Sequence, residues 1–94
     1  MIVYTNYLKG ICFVTFEGYF DKKLAYNTLN NISYMNVLVL NIRKLLFYNP
    51  SELVYLKNIF VDKSFYLISD WKYPDYDLIS FKEESYILKK YNVL

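Results

Sequence analysis

Val37-Leu38-Val39-Leu40-Asn41-Ile42-Arg43-Lys44-Leu45-Leu46-Phe47-Tyr48-Asn49-Pro50-Ser51-Glu52-Leu53 is read first, because strand, corner and helix start follow one another within it. Val37 to Ile42 is a short, nearly continuous apolar run with β-branched members. That pattern predicts a strand covered on both faces, hence central and parallel to a neighbour. Arg43-Lys44 interrupts the run, and Leu45 to Tyr48 carries apolar material onward. Asn49 is an N-cap residue, Pro50 suits the first helical position, and Glu52 lies three residues after the cap, placed to reach back to its amide. Leu53, Leu56, Ile59 and Phe60 then recur at helical spacing, predicting a helix to about Val61.

Working outward, Ile2–Tyr7 and Ile11–Phe16 are β-rich runs separated by a turn near Leu8–Gly10, a hairpin. Glu17 to Phe20 reads as a loop. Asp21 caps a helix from Lys22 to about Ile32, with Leu24, Thr28 or Ala25, Leu29 and Ile32 inward. Downstream, Phe65–Ile68 is a further strand, Asp70–Tyr76 a loop holding Pro74, and Asp77–Ser80 a short edge strand. Ser80 and Glu83 form a second capping-box pattern, opening a terminal helix with Ile87, Leu88 and Tyr91 inward. The order ββαβαβ(β)α predicts an α/β fold with a mixed four- to five-stranded sheet and helices mainly on one face.

The chain has 94 residues, 55% hydrophobic and 21% charged. That suits one domain over residues 1–94 with a single core and not a disordered chain. A net charge of +2 is too small for phosphate-backbone binding without clustered Lys and Arg, so no nucleic-acid partner is expected. There is no histidine, and Cys12 is the single cysteine. These absences remove His-based general bases and triads, an intrachain disulfide and cysteine zinc centres. No apolar run is long enough to span a membrane, and the N-terminus lacks the layout of a secretion signal, so a cytoplasmic location is expected. Twelve Tyr, seven Phe and one Trp are what AT-rich coding produces alongside Asn, Lys and Ile. They are also what an interaction surface uses, and some Tyr must be exposed.

The Val37–Leu53 stretch resembles the central segment of the STAS domain, the fold of bacterial anti-sigma factor antagonists. The family's usual wording is close to V-V-L-D-L-S-x-V-x-F-I-D-S-S-G-L, and the two align without a gap. On that resemblance Asn41 takes the strand aspartate, Leu45 and Phe47 the apolar loop positions, Asn49 the second aspartate and Leu53 the helix leucine. Ser51 falls on the serine that the family's partner kinase phosphorylates. Phe16 to Asp21 is similar to the family's G-x-L-D loop, and Ser80 to Leu88 to its closing strand and helix. One family helix is shortened to the Asp70–Tyr76 loop. The wording departs at Asn49 for aspartate, Pro50 for serine and Glu52 for glycine.

The resemblance implies a non-enzymatic regulatory domain that binds an anti-sigma factor kinase and frees a sigma factor. Its docking face would comprise Asn49, Ser51, Glu52 and Tyr55, with Gly18, Tyr19 and Asp21 beside them. Two readings of Ser51 stand together. It is either a regulatory phosphoacceptor, favoured by the free amides and dipole of a helix N-terminus, or an ordinary capping-box residue. Glu52 brings a carboxylate that would repel an added phosphate. A scaffold that has lost the switch is the alternative function.

Other constellations carry less. Asp70, Asp75 and Asp77 share a loop, but their spacing matches no cation-binding loop, and no metal or cofactor is expected. Cys12 alternates inside a strand and reads as core. Gly10 and Gly18 form neither a P-loop nor a dinucleotide fingerprint. Phe13 and Phe16 fall on opposite faces of their strand, which argues against a base-stacking platform. With no convergent acid–base or nucleophile pair, an enzyme is not expected.

Overall fold

A computed structural model describes residues 1–46, 48–58, 63–71, 77–79 and 84–92. The elements run β1 (Ile2–Leu8), β2 (Ile11–Gly18), α1 (Lys22–Asn31), β3 (Val37–Leu45), α2 (Pro50–Lys57), β4 (Ser64–Ile68), β5 (Asp77–Ile79) and α3 (Glu84–Lys90). One sheet holds the five strands in the order β1-β2-β3-β4-β5. β1 is antiparallel to β2, and each later neighbouring pair is parallel. The fold is α/β with a mixed sheet, and Val37–Ile42 is its central strand.

Lys9 and Gly10 form the hairpin turn, both with positive φ (47° and 82°). That pair of left-handed residues is what a two-residue turn needs to match the twist of its strands. Gly18, with φ of 96°, lets the chain leave β2 sharply toward α1. β2 therefore runs two residues past Phe16, into the segment that reads as loop from sequence.

Parallel strands added one after another in sequence order require connecting helices that return over the same face when the crossovers keep one hand. α1 and α2 do so. Ala25, Leu29 and Ile32 of the first and Leu53 and Leu56 of the second pack on Cys12, Val14, Phe16, Leu38, Leu40, Ile42, Leu45, Phe65 and Leu67. α3 follows the edge strand β5 and lies on the opposite face, where Ile87 meets Ile11, Val37, Val39, Tyr66 and Ile68. The expectation of helices mainly on one face thus holds for two of three. The apolar residues of β3 alternate between these two clusters, which is why its sequence shows no polar alternation.

Arg43-Lys44 does not end the strand. Thr15 pairs with Asn41 and Glu17 with Lys44, so Phe16 alone opposes Ile42 and Arg43, a β-bulge. The Arg43 amide is taken up locally by Asn41 Oδ1 at 3.0 Å. The extra residue resets the alternation, so that Ile42 and Leu45 both enter the α1/α2 core while Arg43 and Lys44 stay exposed. Bulges re-aim side chains in this way.

In α1, Asp21 caps through its side chain, which accepts from the Leu24 amide at 3.0 Å. Ala25 and Leu29 are buried, whereas Leu24, expected inward, is 39% exposed. Its place in the first turn puts it at the helix flank, and Ala25 carries the inner stripe instead. α3 anchors through Ile87 and a clamp at its end. Lys90 Nζ donates to Tyr66 Oη at 2.9 Å, and the two phenols of Tyr66 and Tyr91 are 3.0 Å apart. The expected extension of α2 through Ile59, Phe60 and Val61, the Ser80–Glu83 cap, and Asp75 all lie outside the described residues.

Candidate functional site

The C-terminal ends of the parallel strands β2 and β3 lie side by side, since Gly18 pairs with Leu45. The Leu46 amide donates to the Gly18 carbonyl at 2.9 Å. Two short connections leave from there, one into α1 and one into α2. The two helix starts thus gather at the carboxyl ends of β2 and β3. Every site residue expected from sequence belongs to the ends of these strands, to the two connections or to the first two turns beyond them. Gly18 and the 64%-exposed Tyr19 precede α1, and Asp21 caps it. Asn49 caps α2, Ser51 and Glu52 lie in its first turn, and Tyr55 follows one turn later. Phe20 and Tyr48 tuck partly against the core and anchor the two connections from beneath.

The cap at α2 is built by Asn49. Its Oδ1 accepts from the Ser51 amide at 3.1 Å and from the Ser51 hydroxyl at 2.9 Å. The Glu52 amide donates to the Asn49 carbonyl at 3.0 Å. Among the described residues, the Glu52 carboxylate makes no return bond to the Asn49 amide. The reciprocal capping box is therefore half present, with the Ser51 hydroxyl donating to the second lone pair of Asn49 Oδ1. Ser51 is exposed. A phosphate on Oγ would remove the hydroxyl hydrogen and with it that hydroxyl's bond to Asn49.

Beside this cap runs an aromatic surface not singled out in the sequence. Tyr55 of α2 stacks with Tyr26 of α1, ring centroids 6.2 Å apart and planes inclined by 26°. The Lys22 ammonium lies 5.7 Å from the centre of the Tyr55 ring. Both Tyr rings remain exposed, by 39% for Tyr26 and 50% for Tyr55. A hollow of ≈ 390 Å³ lined by Lys22, Lys23, Tyr26 and Tyr55 opens at one side of the stack. A second of ≈ 300 Å³ lies at the other side, toward Asn30, Ser33 and Asn58. The sequence signal was available. Lys22 and Tyr26 are four residues apart on the outer stripe of α1, where neighbours on a helix surface meet.

A linked set of electrostatic perturbations lies elsewhere, on the α3 face. Burial chiefly raises the Tyr66 phenol above its usual value, opposed in part by the hydrogen bond from Lys90. For Tyr91, burial pushes upward, but hydrogen bonds from Ser64 and Tyr66 and the Lys90 charge outweigh it and hold the phenol low. The bond to Tyr66 in turn raises Lys90. Lys90 thus donates to Tyr66, whose phenol is in turn hydrogen-bonded to that of Tyr91. These bonds fasten the end of α3 to β4.

Among the described residues, no group of three His, Cys, Asp or Glu side chains is placed to hold a metal ion. Nor is any helix there long and apolar enough to cross a membrane. Compared with known proteins, the chain matches no family model, no curated protein sequence and no solved structure.

Proposed function

We propose that this chain is a regulatory protein-binding domain that works without catalysis, in the manner of an anti-sigma factor antagonist. It docks an anti-sigma factor kinase through the end of the sheet where α1 and α2 begin. The observation that carries this reading is the convergence of two connections, far apart in sequence, at one sheet end. Exposed Tyr19, Asn49, Ser51 and Tyr55 are presented there together. Rigid helix starts with exposed aromatic anchors suit recognition of a second protein. No cofactor, nucleic acid or membrane takes part, and the setting is the cytoplasm. Ser51 is the switch: phosphate added to it breaks the bond to Asn49, sets charge beside Glu52 and releases the kinase.

The Tyr26–Tyr55 stack favours a second reading, a constitutive scaffold, because that anchor does not depend on Ser51. Incubation with anti-sigma factor kinases and ATP, followed by intact-mass and peptide mapping, separates the two. The switch predicts one added phosphate at Ser51 and a complex weakened more by Ser51→Asp than by Ser51→Ala. Binding with no added phosphate, and equal affinity of the two variants, leaves the scaffold. Failure of every such kinase to bind or modify the chain rejects both.

A further inference from the structure

β1 is an edge strand seven residues long with no charged residue in it (Ile2-Val3-Tyr4-Thr5-Asn6-Tyr7-Leu8). Edge strands are usually blunted by charge, proline or a bulge, since their open amides and carbonyls template further pairing. β1 pairs with β2 without a register shift, and among the described residues nothing covers its outer side. Ile2, Tyr4, Tyr7 and Leu8 keep 56%, 51%, 49% and 40% of their surface exposed.

The turn fixes which backbone groups are open. A two-residue hairpin turn is closed by a pair that exchanges both backbone hydrogen bonds, here Leu8 and Ile11, and such pairs then alternate along an antiparallel ladder. Asn6, Tyr4 and Ile2 are therefore also turned toward β2. Val3, Thr5 and Tyr7 present their N–H and C=O groups outward.

We infer that β1 pairs antiparallel with β1 of a second copy of this chain, about a two-fold axis through Thr5. In that register Thr5 faces Thr5 of the other copy, Val3 faces Tyr7, Tyr4 faces Asn6 and Ile2 faces Leu8. All three outward residues of each copy then fall in hydrogen-bonded pairs, so every open N–H and C=O of Val3, Thr5 and Tyr7 is satisfied. Displacing the axis to Val3 or Tyr7 leaves part of them unpaired. The side chains agree with the backbone. β-Branched and aromatic residues meet, threonine meets threonine, and no like charges oppose one another within the strand. The axis is perpendicular to the sheet, so both α3 helices lie on one side of a continuous ten-stranded sheet. The grooves of ≈ 330 Å³ that each copy holds between Tyr4, Leu8, Phe13 and Leu88 become neighbours across the axis.

The area sets the strength. A tyrosine carries about 150–250 Å², so the exposed halves of Tyr4 and Tyr7, with Ile2, Leu8 and the backbone, set an upper bound on the order of 800–1,000 Å² over both copies, since pairing at the edge covers side chains on the sheet faces only in part. That lies below permanently paired chains and gives a concentration-dependent dimer.

Sedimentation velocity over a concentration series tests this, with circular dichroism confirming that each variant is folded. Wild type is expected to shift from monomer to dimer as concentration rises. Thr5→Lys and Thr5→Glu each place like charges face to face and weaken association about tenfold or more, and an equimolar mixture of the two restores it. Thr5→Pro removes only an outward N–H, so it abolishes association while leaving the fold intact. Thr5→Cys forms a disulfide-linked dimer on oxidation, because hydrogen-bonded antiparallel pairs set their Cα atoms about 5.5 Å apart, within disulfide reach. The buried Cys12 cannot substitute for it. A chain monomeric at every concentration, a dimer indifferent to Thr5→Lys and Thr5→Pro, or a mixture that does not recover overturns the inference.

Discussion

Along β3, Val37, Leu38, Val39 and Leu40 are all buried, while along β1 Ile2, Tyr4, Tyr7 and Leu8 remain at least 40% exposed. Both strands are rich in apolar and β-branched residues, so residue type does not separate them. Position in the sheet does. β3 lies between β2 and β4 with helices over both faces, and each of its apolar side chains reaches one of two cores. β1 has a single neighbour, and of its seven residues only Val3 is partly buried against the core of the α1/α2 face. The same chemistry thus serves as a stabilising spine in one strand and as an available edge in the other.

Removing bulk from the spine breaks the contrast most severely. Leu40→Ala leaves a cavity under α1 and α2 and is expected to cost about 2–5 kcal/mol, read as a lowered urea midpoint with an unchanged slope. That loss is a large part of the stability of a domain this size, so part of the Leu40→Ala population unfolds at physiological temperature.

Alkaline pH probes the strand between the two. Burial chiefly raises the Cys12 thiol above its ordinary 9.0, so the folded state holds its proton longer than the unfolded chain. Below that value both states are protonated and the thiol contributes no pH dependence. As pH rises past 9.0 the unfolded chain ionises first, and stability falls by at most about 1.4 kcal/mol per pH unit from this group. Tyr66, raised from 10.0, adds to the fall at higher pH by the same reasoning. Denaturant titrations of wild type and Cys12→Ala between neutral pH and pH 10 are expected to diverge, with the variant flatter across the first part of the decline.

The smallest effect belongs to the edge. Ile2→Ala on the exposed strand changes folding stability by at most about 1 kcal/mol when measured at a concentration where the chain is monomeric. A loss as large as that of Leu40→Ala there would erase the distinction between the strands.

Much of the spine was legible because one pattern dictates it. A continuous apolar run has only one comfortable place in an α/β sheet, and Asn49-Pro50 marks a helix start by local hydrogen bonding alone. The bulge at Phe16 was not legible. It depends on how β2 and β3 pair across space, and Arg43-Lys44 reads as a strand end until the register is known. α3 on the far face was equally hidden, since no sequence signal says which side a helix takes after an edge strand. At the candidate site, the caps Asp21 and Asn49 were read from local signals and fall at one sheet end, whereas the docking role of the residues around them came from the resemblance alone. The Tyr26–Tyr55 stack escaped, although the resemblance had named Tyr55, because the meeting of the two rings depends on how α1 packs beside α2.

Hydrogen–deuterium exchange of the chain with and without an anti-sigma factor kinase tests the functional reading most directly. Docking at the two helix starts predicts slowed exchange in residues 18–24 and 51–57, with β1 unchanged by the kinase. Protection confined to β1 or α3, or none in either helix start in a complex shown to form, would contradict it.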